Sequence, residues 1–391
     1  MNRRALIWGG AAVAVLGAIG GAWMLSLPPA PVTTEPPPLP KPEADAMLAS
    51  LKPPKRERPL VAVVGINDAT EATDYLMVYG VLRRSGVADV MLLATQPGPV
   101  TLFPALTVEP HATVAEFDAR YPEGPDYVIV PAMSRDDDPA ALAWIRAQAS
   151  KGSIVVGVCA GAKVVADAGL LDGRRATTHW YYLEEMLGRH PTIDYVRDRR
   201  IVVDRGVATT TGITASMPMA LTLIEAIAGR TKADAVARDV GLDGWDARHA
   251  SGEFRFSRPF AGTVLANVMA FWKRETFGIE LRPGIDEVSL ALVADAWSRT
   301  YRSRAVTFSA SADPTESRNG VRIRPDRVAS EWPADTRLTT TDRVPAHALD
   351  ETLHAIASRY GPQTKKVVMM QLEYPARTLR PAAELAAVAE R

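Results

Sequence analysis

The residue best suited to covalent chemistry is the single cysteine, and its setting is specific. Gly157-Val158-Cys159-Ala160-Gly161 follows the β-rich run SIVVGV (153–158) and leads into the helical run AKVVADAGLL. A nucleophile with glycine two residues to either side, between a strand and a helix, sits on a sharp turn whose neighbours must be small or their Cβ atoms clash. The turn aims the sulfur at the N-terminus of the next helix. Unpaired N–H groups and the positive dipole end there favour a thiolate, lowering the pKa below the free value of about 8.5. The same N–H groups, at Ala160 and Gly161, are expected to stabilise an oxyanion on a substrate. The alternative is a buried structural thiol, since free cysteine is among the most buried residue types.

An alternation of strands and helices must position this elbow. LVAVVG (60–65), DVMLLA (89–94), DYVIVPA (126–132) and SIVVGV read as strands, and ALTVEP (105–110) reads as a hairpin arm. TDYLMVYGVLRRSG, stopping at Gly86, and DPAALAWIRAQASKG, stopping at Gly152, read as helices. Beyond the elbow, RIVVDRGVATTTG reads as a hairpin and SMPMALTLIEAIAG as a long helix closing near Gly229. This order predicts an α/β domain over 60–235, with a mostly parallel sheet covered by helices on both faces. Residues 236–280 read as a helical connector. Residues 281–391 repeat the order of the first unit as a degenerate half-repeat, in which KKVVMMQLEYP takes the place of SIVVGVCAGAK and has no cysteine.

The N-terminus reads as a membrane anchor or signal over 1–27. Arg3 and Arg4 precede an uncharged, mostly apolar run from Ala5 to Leu27, and about 20 such residues cross the hydrocarbon core, against roughly 7–15 in a signal peptide. The arginines orient the rest of the chain outward. That places the protein in a bacterial inner membrane, single-pass, with its globular part in the periplasm. Residues 28–59 hold enough proline to predict a semi-rigid, extended spacer.

The run VVGVCAGAKVVADAGLLDGRRATTHWYYLEEM (155–186), followed by VVDRGVATTTGITASMPMALTLIEAIAG (202–229), resembles the ThiJ/PfpI family of the class I glutamine amidotransferase-like superfamily. Isonitrile hydratases and the sensor domains of AraC-type regulators belong to that family. The resemblance implies a flavodoxin-like sandwich over about residues 60 to 235, with Cys159 as the elbow nucleophile. It implies that His179, in Thr177-Thr178-His179-Trp180, lies near the sulfur, and that Asp74, or else Glu71, is the acid beneath it. It also implies that Thr210, Thr211 and Gly212 line the pocket. Many relatives carry Gly-Gly where this chain has Ala132-Met133, which narrows or removes the oxyanion and ligand site there. There is no His-x-Glu near residues 200–230, so ammonia release from glutamine is not expected.

Lys plus Arg and Asp plus Glu total 45 each, so the net charge is zero and gives no global reason to bind nucleic acid. His111, His190, His249, His347 and His354 show no metal-ligand spacing, and no Gly-rich phosphate loop follows a strand. No metal or cofactor is expected. Where regulators of the family continue into a helix-turn-helix, this chain continues into the half-repeat. The sequence therefore leads to two functions. One is covalent chemistry by Cys159 on a small carbonyl, imine or isonitrile compound. The other is a non-catalytic extracytoplasmic sensor of a small molecule or of redox state, with the half-repeat forming an internal pseudo-dimer or the chain forming a homodimer.

Overall fold

The computed structural model describes residues 20–389. Its main sheet has seven strands: β1 (Leu60–Gly65), β2 (Asp89–Ala94), β3 (Ala112–Thr113), β4 (Tyr127–Val130), β5 (Ile154–Gly157), β6 (Ile201–Asp204) and β7 (Val207–Thr210). They lie in the order β6-β7-β5-β4-β1-β2-β3, and every pair is parallel except the β6–β7 hairpin. All six residues of β1 are buried. Val61 and Val63 face one core and Leu60, Ala62 and Val64 the other, because side chains alternate across a strand and helices cover both sheet faces. This is a flavodoxin-like α/β architecture. The helices nearest the site are α1 (Ala72–Ser85), α2 (Gly161–Asp167) and α3 (Ser216–Ala228).

A second sheet holds β8 (Glu275–Glu280), β9 (Ser303–Ser309), β10 (Arg327–Val328) and β11 (Arg337–Leu338), all parallel, in the order β10-β9-β8-β11. Its helices are α5 (Glu287–Ser298), α6 (Pro345–Tyr360) and α7 (Pro362–Leu372), with α4 (Arg258–Met269) leading in. The first three elements, strand, helix and strand, follow the order of β1, α1 and β2. The two units are fused rather than tethered. Helix α5 packs on α1, and Arg322–Arg324 pairs antiparallel with Thr107–Glu109, placing Ile323 opposite Val108. Gly80 makes the helix crossing possible, since a Cβ there would stand 2.4 Å from Val288.

Three expectations need correction. The helical connector ends early: β8 begins at Glu275, inside the 236–280 stretch. KKVVMMQL is helical in α7, where Thr364, Val368 and Leu372, four apart, are buried; its apolar run fits a buried helix face as well as a strand. The proline-rich stretch 28–59 is not a free spacer. It contains a helix, Lys41–Ser50, and Leu51 is fully buried. Arg56 bonds Asp126 at 2.8 Å and Arg199 bonds Glu43 at 2.9 Å. Most of the expected membrane-spanning run, residues 1–19, lies outside the described residues. Among the described residues no helix is long and apolar enough to cross a membrane.

Candidate active site

Cys159 follows β5 with φ of +57°, in the left-handed region that costs an L-residue conformational energy. Two threonines hold it there. The Cys159 N–H donates to Thr210 Oγ1 at 3.0 Å, and Thr178 Oγ1 donates to the Cys159 carbonyl at 3.0 Å. The flanking glycines answer a packing demand. A Cβ at Gly157 would lie 2.9 Å from Ala162 Cα, and one at Gly161 would lie 2.0 Å from the Val130 carbonyl oxygen. Since that obstacle is sheet backbone, Gly161→Ala should destabilise the protein by about 3 kcal/mol. A urea midpoint indistinguishable from the unmodified protein's would contradict this.

The sulfur sits against a cavity of about 920 Å³, lined by Cys159, Ala160, Glu71, Ala132, Met133 and His179 from the first unit. Arg299, Tyr301 and Gln371 line it from the second. Cys159 itself is 4% exposed. The expected depression of its pKa does not occur. Burial, then the charges of Asp74 and Glu71, push the thiol well above its ordinary range, outweighing the Ala160 N–H that bonds it. The reason is geometric: the elbow faces buried carboxyls, and the helix behind it, α2, spans only Gly161–Asp167. The Gly161 N–H, expected as an oxyanion donor, instead closes the turn onto the Val158 carbonyl at 2.7 Å.

Both predicted acids are buried beside the elbow. Asp74, in the first turn of α1, accepts the Ala132 N–H at 3.1 Å and the Ser216 hydroxyl at 3.4 Å. The Ala132 amide is thus already occupied by Asp74. Burial, then the neighbouring Glu71, push the Asp74 carboxyl well above the usual range. Glu71 lines the cavity and accepts from Arg299 Nη2 at 2.8 Å, while Arg299 Nε reaches Asp295 at 2.5 Å. One guanidinium serves two carboxylates, and burial wins at both. Glu71 is raised, and Asp295 is pushed up to about 7.

That arrangement fixes the sign of a pH effect. A carboxyl whose folded-state pKa is raised adds stability at acid pH, and the contribution is lost as pH rises through about 7. His179, held low by burial, acts in the opposite sense, its contribution being lost as pH falls below the ordinary histidine range. Raising the pH from about 6.5 to about 8.5 should therefore lower unfolding stability by about 1 kcal/mol, and Asp295→Asn should remove most of that slope. Urea titrations at the two pH values check this, and stability rising with pH would contradict it.

His179 lines the cavity as expected but is not free to take the thiol proton. Its Nε2 lies 2.9 Å from the Gln371 carbonyl and its Nδ1 accepts the Tyr181 N–H at 3.1 Å. Both ring nitrogens are occupied, so the residue positions the 177–182 loop. Thr211 and Gly212 do not line the cavity; Ile213 does. The Thr211 N–H donates to the Arg200 carbonyl, and the Gly212 N–H donates to the Glu373 carboxylate. Thr210 serves the site through its bond to Cys159 rather than by lining a pocket.

The unexpected participants come from the second unit. Glu373, at φ of +53°, is buried and also bonds His249 Nε2 at 2.9 Å, while the His249 ring stacks on Phe254. Burial raises the Glu373 carboxyl, but His249, His179 and the Gly212 amide together hold it below the usual range. Gln371, from α7, fixes His179 and also donates to the Arg299 carbonyl at 2.8 Å. No sequence spacing links Arg299, Gln371 or Glu373 to the elbow. They meet it only because the two units are fused. Among the described residues no cluster of His, Cys, Asp and Glu has metal-binding geometry.

Residues 61–226 match the DJ-1/PfpI family. An isonitrile hydratase from Pseudomonas putida is 35% identical over 157 residues, which is 39% of this chain and 64% of that protein. The HTH-type transcriptional regulator CdhR of Pseudomonas aeruginosa is 37% identical over 86 residues, 22% of this chain and 25% of that one. The chain thus spans less than two thirds of the length of these relatives. Among solved structures, Drosophila melanogaster DJ-1beta is 22% identical with a TM-score of 0.43, covering 48% of this chain and 100% of that chain. A DJ-1 superfamily protein from Salmonella typhimurium is 21% identical with a TM-score of 0.42, covering 48% of this chain and 100% of that one.

Proposed function

On the premise that residues 61–226 of this chain are a DJ-1/PfpI family domain, we propose that the protein is a membrane-tethered, cysteine-dependent hydratase or hydrolase. Its substrate would be a small neutral compound with an electrophilic, multiply bonded carbon, such as an isonitrile, imine or carbonyl. The observation that carries the reading is Cys159, held in strained geometry at the wall of a 920 Å³ cavity beside a carboxyl, Glu71, that lines the same cavity. The 35% identity to an isonitrile hydratase supports it. The apolar run after Arg3-Arg4 supports the tether.

The chemistry follows from the protonation states. A thiol pushed up in pKa stays protonated until substrate arrives, so its proton must move as the S–C bond forms. Glu71 takes that proton and returns it to the isonitrile carbon, giving a thioimidate. Water then adds to the same carbon, the C–S bond breaks, the sulfur regains a proton, and an N-substituted formamide leaves. Burial and the neighbouring Glu71 push the Asp74 carboxyl toward its neutral form, which limits the negative charge facing the sulfur as charge builds there. Arg299 holds the Glu71 carboxylate in place.

The test is formamide production from small alkyl isonitriles by the full chain in detergent micelles, followed by NMR. Glu71→Gln should slow turnover about 100-fold with little change in the apparent KM. Absence of product from isonitriles, imines and aldehydes alike would overturn the reading.

One observation favours a second reading as a ligand sensor. His179 has both nitrogens engaged and the thiol is protonated, a resting state suited to binding without turnover. Partial matches to the regulators CdhR and GbdR of Pseudomonas aeruginosa accord with it. A ligand that raises the melting temperature without being consumed would favour this reading.

A further inference from the structure

Helix α4 wears an apolar stripe on its outer side. Leu265, Val268 and Met269 recur at the i, i+3, i+4 spacing that normally faces a core, and Trp272 follows in the short turn Phe271–Lys273; all four are exposed, Leu265 by 54% and Trp272 by 68%. Phe271 beside them is 63% exposed. The opposite side of the helix is fixed to the body: Phe260 is buried, and Asn267 bonds Thr300 and Thr364. The stripe is therefore an outward face of a rigid element. An apolar patch of this kind on a protein surface marks something that covers it.

Three observations on the same face favour a lipid bilayer as the cover. First, the apolar N-terminal run arrives here. Arg258 Nη2 bonds the carbonyls of Leu25 at 2.7 Å and Leu27 at 3.2 Å, and its N–H donates to the Pro28 carbonyl at 2.8 Å. The exposed Trp23 packs near Phe256, with ring centroids 6.3 Å apart. Second, the charge along α4 and the turn that follows it is one-signed. Residues 258–274 contain Arg258, Lys273 and Arg274 and no acid. The next acid, Glu275, is tied to Arg359 and Tyr360. Third, tryptophan and phenylalanine next to exposed cations is the composition that settles at the headgroup level.

We propose that this face, α4 with Phe271 and Trp272 and the incoming Trp23–Leu25 segment, seats the globular body on the surface of the membrane that holds its N-terminus. The proposal rests on the tether reading above. The mouth of the catalytic cavity belongs to the same face, since Trp23, Met24, Leu265 and Val268 also line it. Seated this way, Cys159 opens toward the bilayer surface rather than toward bulk solvent. The apolar side chains would lie about 5–10 Å into the headgroup region.

The test uses the full chain in vesicles of phosphatidylcholine and phosphatidylglycerol, in a Cys159→Ala background. Single substitutions Leu265→Cys and Trp272→Cys carry an environment-sensitive NBD label. Lys151→Cys, at the far end of the sheet beside the start of β5, serves as control. Brominated lipid should quench the labels at 265 and 272 by about twofold or more and leave the one at 151 unchanged. Carbonate extraction on the same samples separates the two failures. Protein retained in the vesicle pellet without quenching at 265 and 272 overturns the seating and leaves the tether standing. Protein released by carbonate overturns the tether, and the seating with it. Labels shielded equally in vesicles and in detergent, with shielding that grows with protein concentration, mean that a second copy covers the face, which also overturns the proposal.

Discussion

Cys159→Ala should reduce turnover by about 1000-fold or more while changing unfolding stability by less than about 1.5 kcal/mol. The two halves of that expectation have separate causes. Alanine keeps the Cβ and so the same left-handed backbone cost at φ of +57°. The threonine bonds to residue 159 are made by its backbone N–H and carbonyl, so they survive the change. What disappears is the sulfur, and with it the only atom at the elbow able to form a bond to carbon. Glu71 remains but has no thiol proton to move. Measured on the full chain with an isonitrile substrate, residual activity above about a tenth would mean that Cys159 is not the nucleophile. A large fall in stability together with activity would make the residue structural.

Arg299→Met should be the most destabilising single side-chain change at the site, costing about 3–5 kcal/mol. Arg299 is anchored at the end of α5 in the second unit and bonds Glu71 of the first at 2.8 Å and Asp295 at 2.5 Å. Methionine fills much of the same space but leaves two buried carboxyls to face each other. They respond by binding protons, so the loss should be smaller at acid pH than at alkaline pH, where Asp295, already pushed up to about 7, would be forced to ionise. Adding Asp295→Asn and Glu71→Gln to the Arg299→Met chain should recover a large part of the stability, since neutral groups can be buried at lower cost. Chemical denaturation of the single and triple variants checks both statements. A single-variant loss below about 1 kcal/mol would show that this ion pair does not hold the two units together.

Local pattern carried much of this site. The glycine spacing around Cys159 is tied to backbone contacts at Gly157 and Gly161, so it leaves a mark in sequence. Asp74 and Glu71 were legible only through the family resemblance, which implies an acid after the first strand; the structure places them in the first turn and at the N-cap of α1. What local pattern could not carry was electrostatic sign and long-range partnership. The thiol is pushed up rather than down because two acids from another segment face it, and no reading of the elbow alone contains them. His179 was legible as a neighbour of the cavity but not as an occupied one, since its partner is a backbone carbonyl 192 residues away in sequence. Gly212 gave the appearance of a pocket-lining amide and is consumed by Glu373. The KKVVMMQL run illustrates a different limit. Short apolar runs fit buried strands and buried helices equally well until the packing partner is known.

Catalysis at this elbow requires a covalent bond from the Cys159 sulfur to a substrate carbon. Intact-protein mass spectrometry during incubation with a small alkyl isonitrile, followed by peptide mapping, tests it most directly. A transient mass increase equal to one isonitrile is expected, located on the peptide that contains Cys159 and absent in Cys159→Ala. An unmodified Cys159 throughout, in a protein that nevertheless turns over the isonitrile, would contradict it.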